Sequence, residues 1–287
     1  MKIQTEKLLR QLLSGAFIVG ASFTMLVTPA MGGIAATKHN LSPSGPGPNK
    51  VTAGTDEICV FCHTPHAADI TAPVPLWNKA LPSGAGYQTY ANLNSSTIDG
   101  EILSVGSISL ACLSCHDGTQ AMDNIVNAPG SGGYDVTGGG ANGLGYAWIG
   151  AGVDANGRMI NQATTLSMLS TDLRNDHPIG IRYCGGGQTS ATPAGACVDA
   201  DFFAPSSAVI NTNRVWWVDT PGVGTAGTRD KTDMILYSRT FAAGSGPSVE
   251  CASCHDPHVD GTSGSSGPTF LRVANTGSTL CLTCHNK

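Results

Sequence analysis

The sequence predicts a mostly irregular fold, with short helices, a few short strands and long glycine-rich loops, packed around something other than a side-chain core. Three observations lead there. The 287 residues include 37 Gly and 16 Pro, which oppose long helices and long strands. Only 6% of residues are aromatic, so the side chains that usually supply buried mass are scarce. Ten cysteines are present, and most of them recur in one fixed pattern.

The N-terminus is set apart first. Lys2, Lys7 and Arg10 precede an uncharged apolar run over residues 12–27, and small residues follow around Pro29, Ala30, Gly32, Gly33, Ala35 and Ala36. This is the layout of a secretory signal peptide, cleaved near residue 35 and occupying residues 1–35. A single membrane anchor is the alternative, but a span needs about 20 apolar residues. No Cys precedes Cys59, so a lipidated N-terminal cysteine is not available. The mature chain is expected to be exported and to have no membrane span. Three cations and one anion leave with the segment, which takes the formal charge from −5 to about −7. Such an acidic chain is a poor partner for nucleic acid.

Four times the chain reads Cys-x-x-Cys-His: Cys59-Cys62-His63, Cys112-Cys115-His116, Cys251-Cys254-His255 and Cys281-Cys284-His285. Two thiols three apart on one helical turn can form thioethers to the two vinyl groups of one haem. The following His then lies under the iron as proximal ligand. A zinc ribbon does not need that His, and a thioredoxin-like site would not occur four times. The expected cofactor is therefore c-type haem (heme c), four per chain. Covalent attachment falls to Cys59, Cys62, Cys112, Cys115, Cys251, Cys254, Cys281 and Cys284, and proximal ligation to His63, His116, His255 and His285. The fold class becomes a haem-packed multihaem cytochrome c, with porphyrins standing in for the core.

Of the 8 His, His39, His66, His177 and His258 remain, one distal ligand for each iron. His66 and His258 each follow a proximal His by three residues, giving Cys-x-x-Cys-His-x-x-His twice. Residues so spaced share a helix face, yet neither His can reach the far side of its own macrocycle, so each is expected to ligate a neighbouring haem. Chain order assigns His39 to haem one, His66 to haem two, His177 to haem three and His258 to haem four. The same order divides a tetrahaem domain, residues 36–287, into two dihaem modules at about 36–125 and 170–287, joined by a glycine-rich loop region.

Each motif is expected on a short helix, with Ser109, Ser248 and Ser278 or Thr279 as nearby N-caps. Residues 213–219 and 179–183 read as short strands, and residues 233–241 as a helix. The glycine-rich stretches 130–145 and 261–267 are expected to wrap haem faces, the alternative being surface insertions. Cys184 and Cys197 flank a turn-rich segment and, in an exported chain, are expected to form a disulfide. One of Trp216 and Trp217 is expected to pack on a haem and the other to cover a loop.

The segments Lys38-His39-Asn40-Leu41-Ser42, Asn175-Asp176-His177-Pro178-Ile179-Gly180 and Cys254-His255-Asp256-Pro257-His258 are similar to those of multihaem c-type cytochromes with doubled motifs. Four haems on an exported chain of this size resemble the OmcE-like tetrahaem extracellular cytochrome filament (nanowire) family. The resemblance covers the haem motifs and distal histidines, from about residue 38 onward; the connecting loops carry no signature. It implies head-to-tail polymerisation with other copies of the chain, a continuous row of haems, and His39, on an N-terminal arm, as the ligand supplied across subunits.

The expected function is extracellular or periplasmic electron transfer to redox partner proteins or extracellular acceptors, with no catalytic residues. Two imidazoles leave no open iron position and give a lower potential than a Met/His pair. A soluble monomeric periplasmic shuttle would carry the same motifs. A multihaem oxyanion reductase would need a five-coordinate or Lys-ligated iron. The short tail after His285 leaves little chain to cover haem four, which favours assembly over the shuttle.

Overall fold

Regular structure is concentrated in one antiparallel sheet, seen in a computed structural model that describes residues 33–130, 133–138, 140–162, 167–259 and 270–287. The signal peptide expected over residues 1–35 lies almost wholly outside the described residues, as does the 261–267 loop. Two short strands, β1 (Lys50–Ala53) and β2 (Ala147–Ile149), pair antiparallel on their own. The main sheet contains β3 (Ile181–Arg182), β4 (Ser206–Ile210), β5 (Asn213–Val218), β6 (Met234–Phe241) and β7 (Gly244–Val249). Its order is β3-β7-β6-β5-β4, so β6 is central and β4 forms an edge.

The local chemistry accounts for these strands. β5 carries Val215, Trp216, Trp217 and Val218, residues that suit a half-buried pleated surface. β4 and β5 are joined by Asn211 and Thr212, both with positive φ, the geometry of a two-residue hairpin turn whose twist matches its strands. The expected strand at 179–183 is confined to the two residues of β3.

Residues 233–241, expected as a helix, form strand β6 instead. From Leu236 onward burial alternates toward Phe241, and the strand is paired on both sides, Trp216 with Leu236 and Tyr237 with Ser248. Two partners at once satisfy its backbone and override the local helical preference.

The inner face of the sheet gathers Trp216, Val218, Met234 and Leu236 against Tyr183, Cys184 and Val273, with Cys254 and Cys284 packed at the margin. Trp216 is thus a core residue in the cluster that Cys254 and Cys284 pack against, and its indole donates to Ser238 Oγ at 3.2 Å. Trp217 is also buried and donates to Asp219 Oδ1 at 3.1 Å. The preceding part of the chain has smaller clusters, one around Val51, Val60, Phe61 and Ile125, another around Val105, Leu113 and Leu173. These belong to the same unit as the sheet, Gly32–Lys287.

Three helices carry Cys-x-x-Cys pairs: α1 (Ser107–His116), α2 (Cys251–Cys254) and α3 (Thr279–Cys284). Their caps differ from expectation. Gly106 precedes α1, and Glu250 caps α2 in a box with Ser253. Ser109 and Ser248 are both used instead to bind Glu250, because a buried carboxylate needs donors more than the helix ends need acceptors. Ser278 does occupy the N-cap of α3, though its hydroxyl makes no capping bond.

Candidate functional site

The first motif is held by a single turn rather than a helix. Cys62 and His63 both donate backbone N–H to Cys59 O, at 3.1 and 2.8 Å. Asn78 pins that turn from the side: its backbone N–H reaches Cys62 O at 2.9 Å and its side-chain amide reaches Val60 O at 2.7 Å. The second motif is the last turn of α1, the third fills α2, and the fourth ends α3. In each case the two cysteines lie on one turn with His directly after, the disposition that thioether attachment requires.

The motifs succeed one another through the packing of the molecule. Cys62 packs against the cluster of Val51, Phe61 and Ile125 and Cys115 against that of Met122 and Met159, and Leu41 and Trp148 contact both clusters, joining motif one to motif two. Ser109 of α1 accepts the backbone N–H of Cys251, joining two to three. Cys254 and Cys284 pack against the same sheet core, joining three to four. Cys59 of the first motif and Cys281 of the last are exposed, whereas the other six motif cysteines are half-buried.

Burial pushes the Cys62 and Cys284 thiols up to about 12 and Cys254 up to about 11. A hydrogen bond with Cys251 does the same to Cys112, and its counterpart lowers Cys251. A thioether has no charge to desolvate, so these positions suit covalent haem.

The histidines fit the same group. Haem ligation leaves one ring nitrogen for iron while the other is held by an acceptor. His63 Nδ1 meets Pro75 O at 2.8 Å, His116 Nδ1 meets Ser167 O at 2.6 Å, His177 Nδ1 meets Pro178 O at 3.0 Å and His39 Nδ1 meets Pro257 O at 3.2 Å. His258 Nδ1 meets Asp256 Oδ1 at 3.2 Å. Nε2 is thereby the nitrogen left for a metal on all five. Burial lowers the basicity of His116, and burial together with nearby His177 lowers that of His285, so neutral imidazole is favoured at both. Beside His63, with ring centroids 6.0 Å apart, the indole N–H of Trp77 is buried without a protein acceptor.

Two ring contacts among the described residues join histidines other than those that chain order pairs. His258 faces His63, with centroids 6.2 Å apart, and His39 faces His116 at 6.1 Å. His39 also stacks on Phe270 at 4.1 Å. His66 is exposed and makes no ring contact with another described histidine; its carbonyl is tied down by Thr64 and Asn127. His255 is exposed at the end of α2.

Cys184 and Cys197 are paired, with Cα atoms 5.4 Å apart. Two residues of the site had no sequence signal. Lys79 is fully buried, its ammonium donating to the carbonyls of Ala121, Met122 and Asn124. Glu250 is buried between Ser109, Ser248 and Arg239.

Residues 245–287 match the family described as the doubled CXXCH motif. The match covers haem motifs three and four and supports a multihaem c-type cytochrome, a class that binds haem covalently and transfers electrons. No curated protein and no solved structure shows significant similarity to the chain. Among the described residues no helix is long and apolar enough to cross a membrane.

Proposed function

We propose that the protein carries electrons along a row of four c-type haems, each iron held by two imidazoles, outside the cytoplasm and as a subunit of a head-to-tail filament of its own copies. The observation that carries this reading is the succession of motifs, with one joined to two, two to three and three to four by shared packing and a direct hydrogen bond. Attachment points that follow one another in this way support successive macrocycles close enough for electron hopping.

Eight cysteines fix the positions, and the Nδ1 contacts aim the imidazoles. The sheet core beside Cys254 and Cys284 keeps water from that stretch of the row. When bound, haem iron supplies the one-electron couple, at the low potential that paired imidazoles give. The exposure of Cys59 and Cys281 supports contact at both ends of the row. Those ends are unlike, and unlike surfaces that meet propagate head to tail without closing.

The test is a haem count on the exported protein together with electron cryo-microscopy of the native material. Four haems per chain, all low-spin, in filaments are expected. An unmodified polypeptide mass removes the whole reading. A monodisperse monomer with four haems removes the filament and leaves a soluble shuttle. A high-spin iron that binds cyanide points instead to a multihaem oxyanion reductase.

A further inference from the structure

We propose that axial ligation crosses between the two halves of the chain at haem one, where His258 completes the iron with His63, while within the first half His39 completes the iron of haem two with His116. The assignment rests on the reading above that each iron takes two imidazoles.

Two imidazoles bound to opposite faces of one metal have a fixed spacing. Each metal–nitrogen bond is about 2 Å and each ring centre lies about 1 Å beyond its nitrogen, so the centroids fall about 6 Å apart. The observed separations are 6.2 Å for His63 and His258 and 6.1 Å for His39 and His116. In all four rings Nδ1 is engaged by an oxygen, which leaves Nε2 as the ligating atom.

One short segment governs both pairs. His258 faces His63, while the carbonyl of Pro257, one residue earlier, holds the ring of His39. Asp256, a residue earlier still, holds the ring of His258 and pairs with Arg272 at 3.8 Å. Phe270, from the same half, stacks on His39 with the rings 14° from parallel. The turn that follows haem three therefore ligates haem one and orients the ligand of haem two. His66 and His177 remain as the distal candidates for haems three and four.

The two pairs differ in a way that spectroscopy reads. The ring planes of His63 and His258 are 15° apart, and those of His39 and His116 are 74° apart. Near-parallel imidazoles split the iron d orbitals strongly and give an ordinary rhombic low-spin ferric signal. Near-perpendicular ones leave the orbitals nearly degenerate and give a highly anisotropic signal.

Electron paramagnetic resonance on the tetrahaem protein tests the assignment. His258→Gly is expected to convert one of four irons to high spin with loss of a rhombic signal, and His39→Gly one iron with loss of a highly anisotropic signal. A second set removes whole haems. In a Cys59→Ala/Cys62→Ala background, adding His258→Gly should produce no further high-spin iron. In a Cys112→Ala/Cys115→Ala background, the same holds for His39→Gly. An additional high-spin iron in either combination, or exchanged signals in the single variants, overturns the pairing. High-spin iron already present in the unaltered protein would sink the bis-imidazole reading instead.

Discussion

Replacing Lys79 with methionine should loosen the join between the first two haem segments. The side chain is fully buried, and its three N–H groups meet the carbonyls of Ala121, Met122 and Asn124 at 2.9, 3.3 and 3.1 Å. Three acceptors match the three N–H donors of a lysine side chain. In Lys79→Met, Ala121 O keeps the backbone N–H of Asn124 at 3.0 Å, so the losses fall mainly on Met122 and Asn124. Each buried carbonyl left without a donor costs about 1–3 kcal/mol. Freeing the fold from a buried ammonium returns part of that. A net loss of about 3 kcal/mol follows. At a guanidinium slope of about 5 kcal/mol per M, the unfolding midpoint should fall by roughly 0.5 M. The assay is equilibrium unfolding followed by Soret absorbance. A variant that unfolds at the wild-type midpoint would refute the claim that this lysine clamps the loop after α1 onto the haem-one turn.

Two further changes test other parts of the scaffold. Replacing Cys184 and Cys197 together by alanine should lower stability by about 3 kcal/mol, the chain-entropy value for a loop of this length, and should abolish any effect of reductant on the thermal midpoint; an unchanged midpoint would mean the pair contributes nothing. Burial raises the Glu250 carboxyl above its ordinary 4.5, a shift partly offset by Ser109, Arg239 and Ser248. The folded state thus binds that proton more tightly than the unfolded chain, and the stability so gained is complete below about 4.5 and lost as pH rises through the raised value. Thermal melts from about pH 4 to 7 should therefore show wild type losing ground to Glu250→Gln as pH rises, whereas a constant difference would place the carboxyl's titration elsewhere.

The doubled motif at the C-terminal end was legible because covalent haem chemistry dictates its spacing: two vinyl groups suit the interval between Cys251 and Cys254, and an iron suits His255 directly after. Nothing comparable fixes distal ligands. Chain order pairs His258 with haem four, yet the fold carries it to His63, since the Asp256-Pro257-His258 turn leaves α2 toward the first half of the chain. Lys79 was invisible for another reason. In a sequence an isolated lysine reads as solvated surface, and only the loop over residues 121–124 makes it a buried clamp. Residues 234–241 misled because their apolar start suits either period, and the choice was made by β5 and β7 on either side. Ser109 and Ser248 looked like caps because local spacing is all that a cap needs, while their real partner, Glu250, is 141 residues from Ser109.

Regular structure is distributed unevenly among the four motifs, and a buried charge sits where the two parts meet. Motifs three and four lean on a five-stranded sheet, whose core reaches Cys254 and Cys284. Around motifs one and two the described residues form smaller clusters and a two-stranded pairing. The two parts meet at the junction of α1 with α2. There Glu250 accepts from Ser109 of α1 at 2.5 Å, from Ser248 of β7 at 3.0 Å and from Arg239 of β6 at 2.9 Å. Ser109 Oγ in turn accepts the backbone N–H of Cys251 at 3.1 Å. An apolar contact of the same size would bury the surface as well but would tolerate sliding. A carboxylate with three directed partners does not, because any slip leaves a buried charge short of a donor. The spacing of motifs two and three is thus held by directed hydrogen bonds at the junction where α1 meets the end of β7.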